Sequence, residues 1–173
     1  MPLYEPLFRA LNASGARYVV VGGVATVLHG YARLTADIDL IVDLEASAAS
    51  KAMQALAGLG LLPRAPVDAA DFADARIRES WLHDKGMQVF SLFHPGNPIL
   101  SVDVFTHHPI EFDRLFDRSE TCAIGDVSIR VASIADLIFL KRLADRPRDR
   151  DDIEKLENIA RLKGNRDEPR EDT

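Results

Sequence analysis

The sequence predicts a single mixed α+β domain of the α/β class, and three observations predict it. Short β-branched runs alternate along the chain with stretches whose apolar residues recur at helical spacing. Gly, Pro, Ser and Asp punctuate the boundaries, where turns and helix caps need them. The 173 residues, 47 % of them hydrophobic, amount to one domain and supply an ordinary core without metal or disulfide staples.

The elements follow in order. Residues 2–12 carry Leu3, Leu7, Phe8 and Leu11 on one helical face, and Ser14-Gly15 breaks the pattern. Residues 17–21 predict a strand and Gly22-Gly23 a turn, and Val24, Val27 and Leu28 predict a helix that closes at His29-Gly30. Residues 37–42 predict a second strand; Asp43 or Ser47 then starts an Ala-rich helix ended by Gly58 and Gly60. Between residues 61 and 84, Pro63, Pro66 and a charged Ala-rich stretch leave room for one short helix. Residues 87–93 and 99–105 predict a hairpin through the turn-forming residues 94–98. Residues 121–124 and 127–131 predict another around Gly125-Asp126. Ser133 caps a helix running to about Asp145, Pro147 interrupts it, and a last helix over residues 149–163 ends at Gly164. The domain is thus expected over residues 1–164, followed by a polar, disordered tail over residues 165–173.

Composition removes several function classes. With 21 Lys and Arg against 27 Asp and Glu, the net charge of −6 argues against sequence-independent coating of nucleic acid while leaving room for a local basic patch. The N-terminal residues lack the basic region and apolar stretch of a signal peptide. The longest apolar stretch, residues 18–29, is broken by two glycines and falls far short of the ~20 residues that span a bilayer. Cys122, the single cysteine, has no partner for a bridge, fits a reducing compartment and reads as a small buried residue. A cytoplasmic protein with no membrane association is expected.

The chemistry concentrates at Asp37-Ile38-Asp39. Alternate residues of a strand share a face, so Asp37 and Asp39 stand side by side, about 7 Å apart at the backbone, and repel unless a cation or solvent intervenes. Oxygen donors of this kind suit Mg²⁺ or Mn²⁺. Two solvated acids at an exposed strand end are the alternative. Asp103 repeats the pattern on its own strand, opposite in facing to Val102 and Val104. If the two strands are neighbours, the three carboxylates meet at one point, as two-metal phosphoryl transfer requires. Gly22-Gly23 adds a turn whose bare backbone and following helix start can approach a phosphate.

The run from Gly22-Gly23 through His29-Gly30, Arg33 and Thr35 to Asp37-Ile38-Asp39 resembles the signature of nucleotidyltransferases of the DNA polymerase β superfamily. It is most similar to the small prokaryotic branch that includes AbiEii-type toxins. A late Lys141-Arg142 followed by Arg146, Asp149 and Asp152 resembles a further motif of such proteins. The resemblance implies a nucleotidyltransferase fold: a small mixed β-sheet with helices packed against it and a C-terminal helical pair. It implies Asp37, Asp39 and Asp103 as catalytic residues and ligands of Mg²⁺, with Mn²⁺ as a substitute. Gly22, Gly23, Arg33, Thr35 and Lys141 are the nucleotide-binding residues it implies, Lys141 as a point charge on the triphosphate. Arg146 and Asp152 are contacts or structural partners. Val24 departs from the pattern, since many superfamily members place a phosphate-binding Ser after the glycines.

The expected activity is transfer of a nucleoside monophosphate from an NTP to an acceptor hydroxyl on tRNA or protein, with a cognate antitoxin or toxin as partner. An aminoglycoside-type small-molecule transferase and a catalytically silent partner-binding module are the alternatives. His29 reads as a capping or packing residue, and His107-His108 before Pro109 as a loop. Trp81, Tyr31 and Phe90 read as core before base-stacking residues, and the Arg-rich run 142–150 as ion-paired with its interleaved acids.

Overall fold

The computed structural model describes residues 4–35 and 37–167. In chain order the elements are α1 (Glu5–Ala13), β1 (Tyr18–Val21), α2 (Gly22–Leu28), β2 (Asp37–Val42), α3 (Ala46–Gly58), β3 (Leu62–Pro63), α4 (Ala75–Lys85), β4 (Val89–His94), β5 (Asn97–Phe105), α5 (Phe112–Arg118), β6 (Glu120–Ile124), β7 (Val127–Val131), α6 (Ile134–Ala144) and α7 (Pro147–Asp167). A 3-10 turn at Ala69–Ala73 precedes α4.

The strands form one mixed sheet in the order β3-β4-β5-β2-β1-β7-β6. β2 lies antiparallel to β1 and parallel to β5, which makes the two predicted acid-bearing strands neighbours. One face of the sheet carries Tyr18 and, as one row in register, Val20, Leu40, Val104 and Phe90, all buried. Phe8 of α1 stacks on Tyr18, and Trp81 of α4 stacks on Phe90 at 5.2 Å, so helices seal this side. Trp81 and Phe90 therefore serve the core. The opposite face presents Val21, Asp39, Asp103 and Ser91 as one row across four strands. Polar groups in mid-sheet are not needed for packing, and α2, α6 and α7 border this face without covering it.

Side-chain caps set the starts of α3, α4, α5 and α6. Glu45, and not Asp43 or Ser47, caps α3 by accepting the N–H groups of Ser47 and Ala48. Asp74 and Glu111 cap α4 and α5 in the same way, and Ser133 caps α6 as the sequence predicts. The Gly125-Asp126 hairpin forms as expected.

Several expectations need correction. The first helix starts at Glu5; the predicted start at Pro2 lies outside the described residues. Gly22-Gly23 is no separate turn but the opening of α2 itself. The hairpin between β4 and β5 is tighter than predicted, with His94 paired to Asn97 and Pro98 inside β5. β3 and α5 escaped the sequence reading. Pro147 begins α7, since its missing N–H costs nothing in a first turn, and Gly164 lies within that helix. The helix continues to Asp167; the rest of the predicted tail lies outside the described residues. Cys122 is half-buried on edge strand β6, with its thiol pKa raised by burial and by Glu120. Among the described residues no helix is long and apolar enough to cross a membrane.

Candidate active site

Asp39 is the centre of the site. It stands directly opposite Asp103 on the neighbouring parallel strand, two residues along from exposed Asp37. Burial, then the Asp103 and Asp37 carboxylates, push the Asp39 pKa up to about 6, against the opposing pull of the Gly23 N–H and the Arg146 guanidinium. None of the three acids forms an ion pair with any described residue.

The glycines fit this arrangement closely. Gly22 has φ +64°, and a Cβ there would overlap the Asp39 carboxylate. A Cβ on Gly23 would overlap the Thr35 hydroxyl and press on Arg33, so the loop after α2 folds over the helix start only because residue 23 has no side chain. Val24 is fully buried, so the apolar residue that departs from the superfamily pattern is a core residue. Thr26 donates to the Gly22 carbonyl at 2.9 Å and braces the same turn.

A second set of charges borders the cleft from α6 and α7. The Lys141 ammonium is buried between Asp152, at 2.5 Å, and Asp149, at 3.5 Å. Arg33 pairs with the same Asp152 oxygen, and Arg146 donates to Asp149 at 2.9 Å. The result is a chain, Arg33–Asp152–Lys141–Asp149–Arg146, tying the loop after α2 to both C-terminal helices. Burial pushes Asp149 up, but Arg146 and Lys141 outweigh it and hold the carboxyl below its ordinary value. Tyr31 donates to Asp151 at 2.7 Å. Asp149 and Asp152 are thus ion-pair partners, while the arginines of the run, Arg142, Arg146, Arg148 and Arg150, are exposed.

The structure brings all eight sequence-predicted site residues, Gly22, Gly23, Arg33, Thr35, Asp37, Asp39, Asp103 and Lys141, to the wall of one polar cleft of about 490 Å³. Arg146, Arg148 and Asp149 line it as well. It does not gather the three acids into a ready-made cage, since among the described residues no group of three His, Cys, Asp or Glu side chains is close enough to hold a metal ion. As a donor set they nonetheless fit a hard divalent cation: all oxygen, on one sheet face, and without a protein cation of their own.

A second, more apolar cleft of about 630 Å³ adjoins the first, sharing Gly22, Asp39, Lys141 and Arg146 with it. Sequence reasoning missed it because its walls come from β1, β4, β5 and α6, far apart along the chain. His107 is on its wall, whereas His108 bonds the Val42 carbonyl at 2.8 Å and His29 the Ala132 carbonyl at 2.8 Å, both as structural residues.

Solved structures resemble this one over most of the chain. The lincomycin-bound lincosamide antibiotic adenylyltransferase LnuA superposes with TM-score 0.57 at 17 % identity, covering 86 % of this chain and 90 % of that one. The antibiotic-resistance factor ANT(2'')-Ia gives TM-score 0.57 at 14 % identity, over 95 % and 91 % of the two chains. An antigenic nucleotidyltransferase-like protein from Paracoccidioides brasiliensis gives TM-score 0.58 at 17 % identity, over 90 % and 72 %. At these identities the likeness establishes the nucleotidyltransferase fold. No curated protein matches the sequence. The family profile that does match spans residues 7–166, and by it the chain belongs to DUF6036, a nucleotidyltransferase family of unknown function.

Proposed function

We propose that the protein transfers a nucleoside monophosphate from an NTP to an acceptor hydroxyl, releasing pyrophosphate. One observation carries the reading: three carboxylates that form no ion pair with any described residue share a cleft with Arg33, Arg146, Arg148 and the glycine start of α2. That pairing of opposite fields suits a triphosphate together with the cation that accompanies it.

Asp37, Asp39 and Asp103 would hold Mg²⁺, or Mn²⁺ in its place. The ion would supply charge neutralisation on the triphosphate and a more acidic acceptor hydroxyl. The chain's own residues do the rest. Gly22 and Gly23 keep side chains out of the phosphate's way, while Thr35 and the Arg33, Arg146 and Arg148 guanidiniums orient its oxygens. Lys141, fixed by Asp149 and Asp152, adds charge from the cleft wall and holds α6 against α7. Asp103 accepts the acceptor's proton as its oxygen attacks the α-phosphorus and the bond to pyrophosphate breaks.

The toxin-like resemblance points to tRNA or a protein side chain as acceptor and to a cognate antitoxin as partner; neither the clefts nor the comparisons favour these over a small molecule. Incubation of the protein with each α-³²P-labelled NTP, Mg²⁺ and total cell extract, with separation of RNA, protein and small molecules, tests the reading. Label should move in wild type and not in Asp39→Asn or Asp103→Asn. Equal transfer by these variants would overturn it.

A further inference from the structure

We propose that the apolar cleft between the sheet and α6 is the acceptor site, and that it takes a compact, largely apolar, uncharged molecule bearing the reacting hydroxyl and an oxygen for His107. This rests on the transferase reading. Its position argues first: Asp39, Lys141 and Arg146 line both clefts, so a molecule seated in one ends where the other begins. Its size, about 630 Å³, is that of a small-molecule site. The nucleotide is accommodated elsewhere, because the polar cleft holds the phosphate-binding groups and its mouth carries Leu34 and Ile99, 98 % and 62 % exposed, as an apolar seat for a base.

The lining sets the chemistry. Val21, Val89, Phe105, Leu140 and Leu143 make most of the wall apolar, and among the described residues Asp39 is its only acid against the cations Lys141 and Arg146. A polycation finds too little negative charge there, and a folded RNA is too large to enter. His107 adds the orienting contact. Its Nδ1 is sealed from solvent without a hydrogen-bond partner among the described residues, and burial and His108 lower its pKa, keeping the ring neutral. An N–H at the sealed position would be an unmet buried donor, so the proton belongs on Nε2, the edge left to donate to a ligand oxygen.

The test uses Nile red as a neutral probe of the apolar cleft, alongside calorimetric titration with a non-hydrolysable ATP analogue and Mg²⁺. Leu143→Glu, a change at a side chain 62 % exposed, should weaken Nile red binding at least tenfold and leave analogue affinity within about twofold. Cyclohexanemethanol should displace the dye from wild type, and a polycationic aminoglycoside at equal concentration should not. His107→Phe should keep the dye yet weaken cyclohexanemethanol about tenfold, the share of one hydrogen bond. Parallel loss of dye and analogue in Leu143→Glu would make the cleft the nucleoside site and overturn the proposal. Unchanged dye binding in that variant, or stronger displacement by the aminoglycoside, would overturn it too. If wild type binds no nucleoside triphosphate analogue of any base, the transferase reading fails, and the acceptor role with it, whatever the dye does.

Discussion

The two charged walls of the polar cleft are built on opposite terms. Along the sheet, Asp37, Asp39 and Asp103 form no ion pair with any described residue, and Asp39 is held half-buried against its own electrostatics. Along α6 and α7, the buried charges Lys141, Asp149 and Asp152 are paired: Lys141 with Asp149 and Asp152, Arg33 with Asp152, and Arg146 with Asp149. Both regions read as Asp-rich segments in the sequence. The difference teaches that the paired wall is architecture, tying the loop after α2 to α6 and α7, whereas burial and mutual repulsion make the unpaired wall cost stability.

Mutation should therefore act in opposite directions on the two walls. The largest effect is expected at Asp152, nearly fully buried, where Asp152→Ala strips Lys141 and Arg33 of their shared partner. Removing one member of such a buried network costs about 3–5 kcal/mol, which urea unfolding would register as a lower midpoint with little change in slope.

On the unpaired wall the sign reverses. The native state binds the Asp39 proton more tightly than the unfolded chain does, with a pKa of about 6 against an ordinary 3.8. Metal-free stability contributed by this group is therefore full at acid pH and is lost as the pH rises from about 4 to 6. Asp39→Asn removes that loss, so the metal-free variant should be more stable than wild type at pH 7.5 by about 2 kcal/mol while transferring no nucleotide. Thermal unfolding at pH 4.5 and 7.5 checks it, and a variant less stable than wild type at both would break the comparison.

Gly22→Ala tests how tightly the sheet wall is fitted. Its methyl would overlap the Asp39 carboxylate and force a left-handed backbone on an L residue, for about 1–2 kcal/mol of lost stability and a displaced acid. Arg142→Ala, which removes the exposed pair with Glu157, should change stability by less than about 0.5 kcal/mol. Pairing matters in this domain where it is buried, and that small value sharpens the point.

Much of the site was legible because its chemistry follows local periodicity. The alternation in β2 and β5 puts Asp37, Asp39 and Asp103 on one face, and the strand order that makes those strands neighbours is the one assumption periodicity needs. Ser133 and Gly125-Asp126 were readable for the same reason, being local cap and turn chemistry. β3 was not, since two residues ending in Pro63 become a strand only through pairing with β4. Nor was α5, a seven-residue helix steadied by Phe112 against His108 and by Arg17 over Phe112 and Phe116. The choice of Asp149 and Asp152, not Asp145 or Asp151, as partners of Lys141 depends on how α7 docks on α6, and Pro147 as a helix start depends on that same turn.

The most direct test of the central claim is calorimetric titration of the protein with Mn²⁺ and a non-hydrolysable ATP analogue at pH 7.5. If the unpaired wall is a cation site, wild type binds the metal–nucleotide pair and Asp39→Asn binds it at least tenfold more weakly, while remaining folded. Equal affinity in the two proteins would contradict the account.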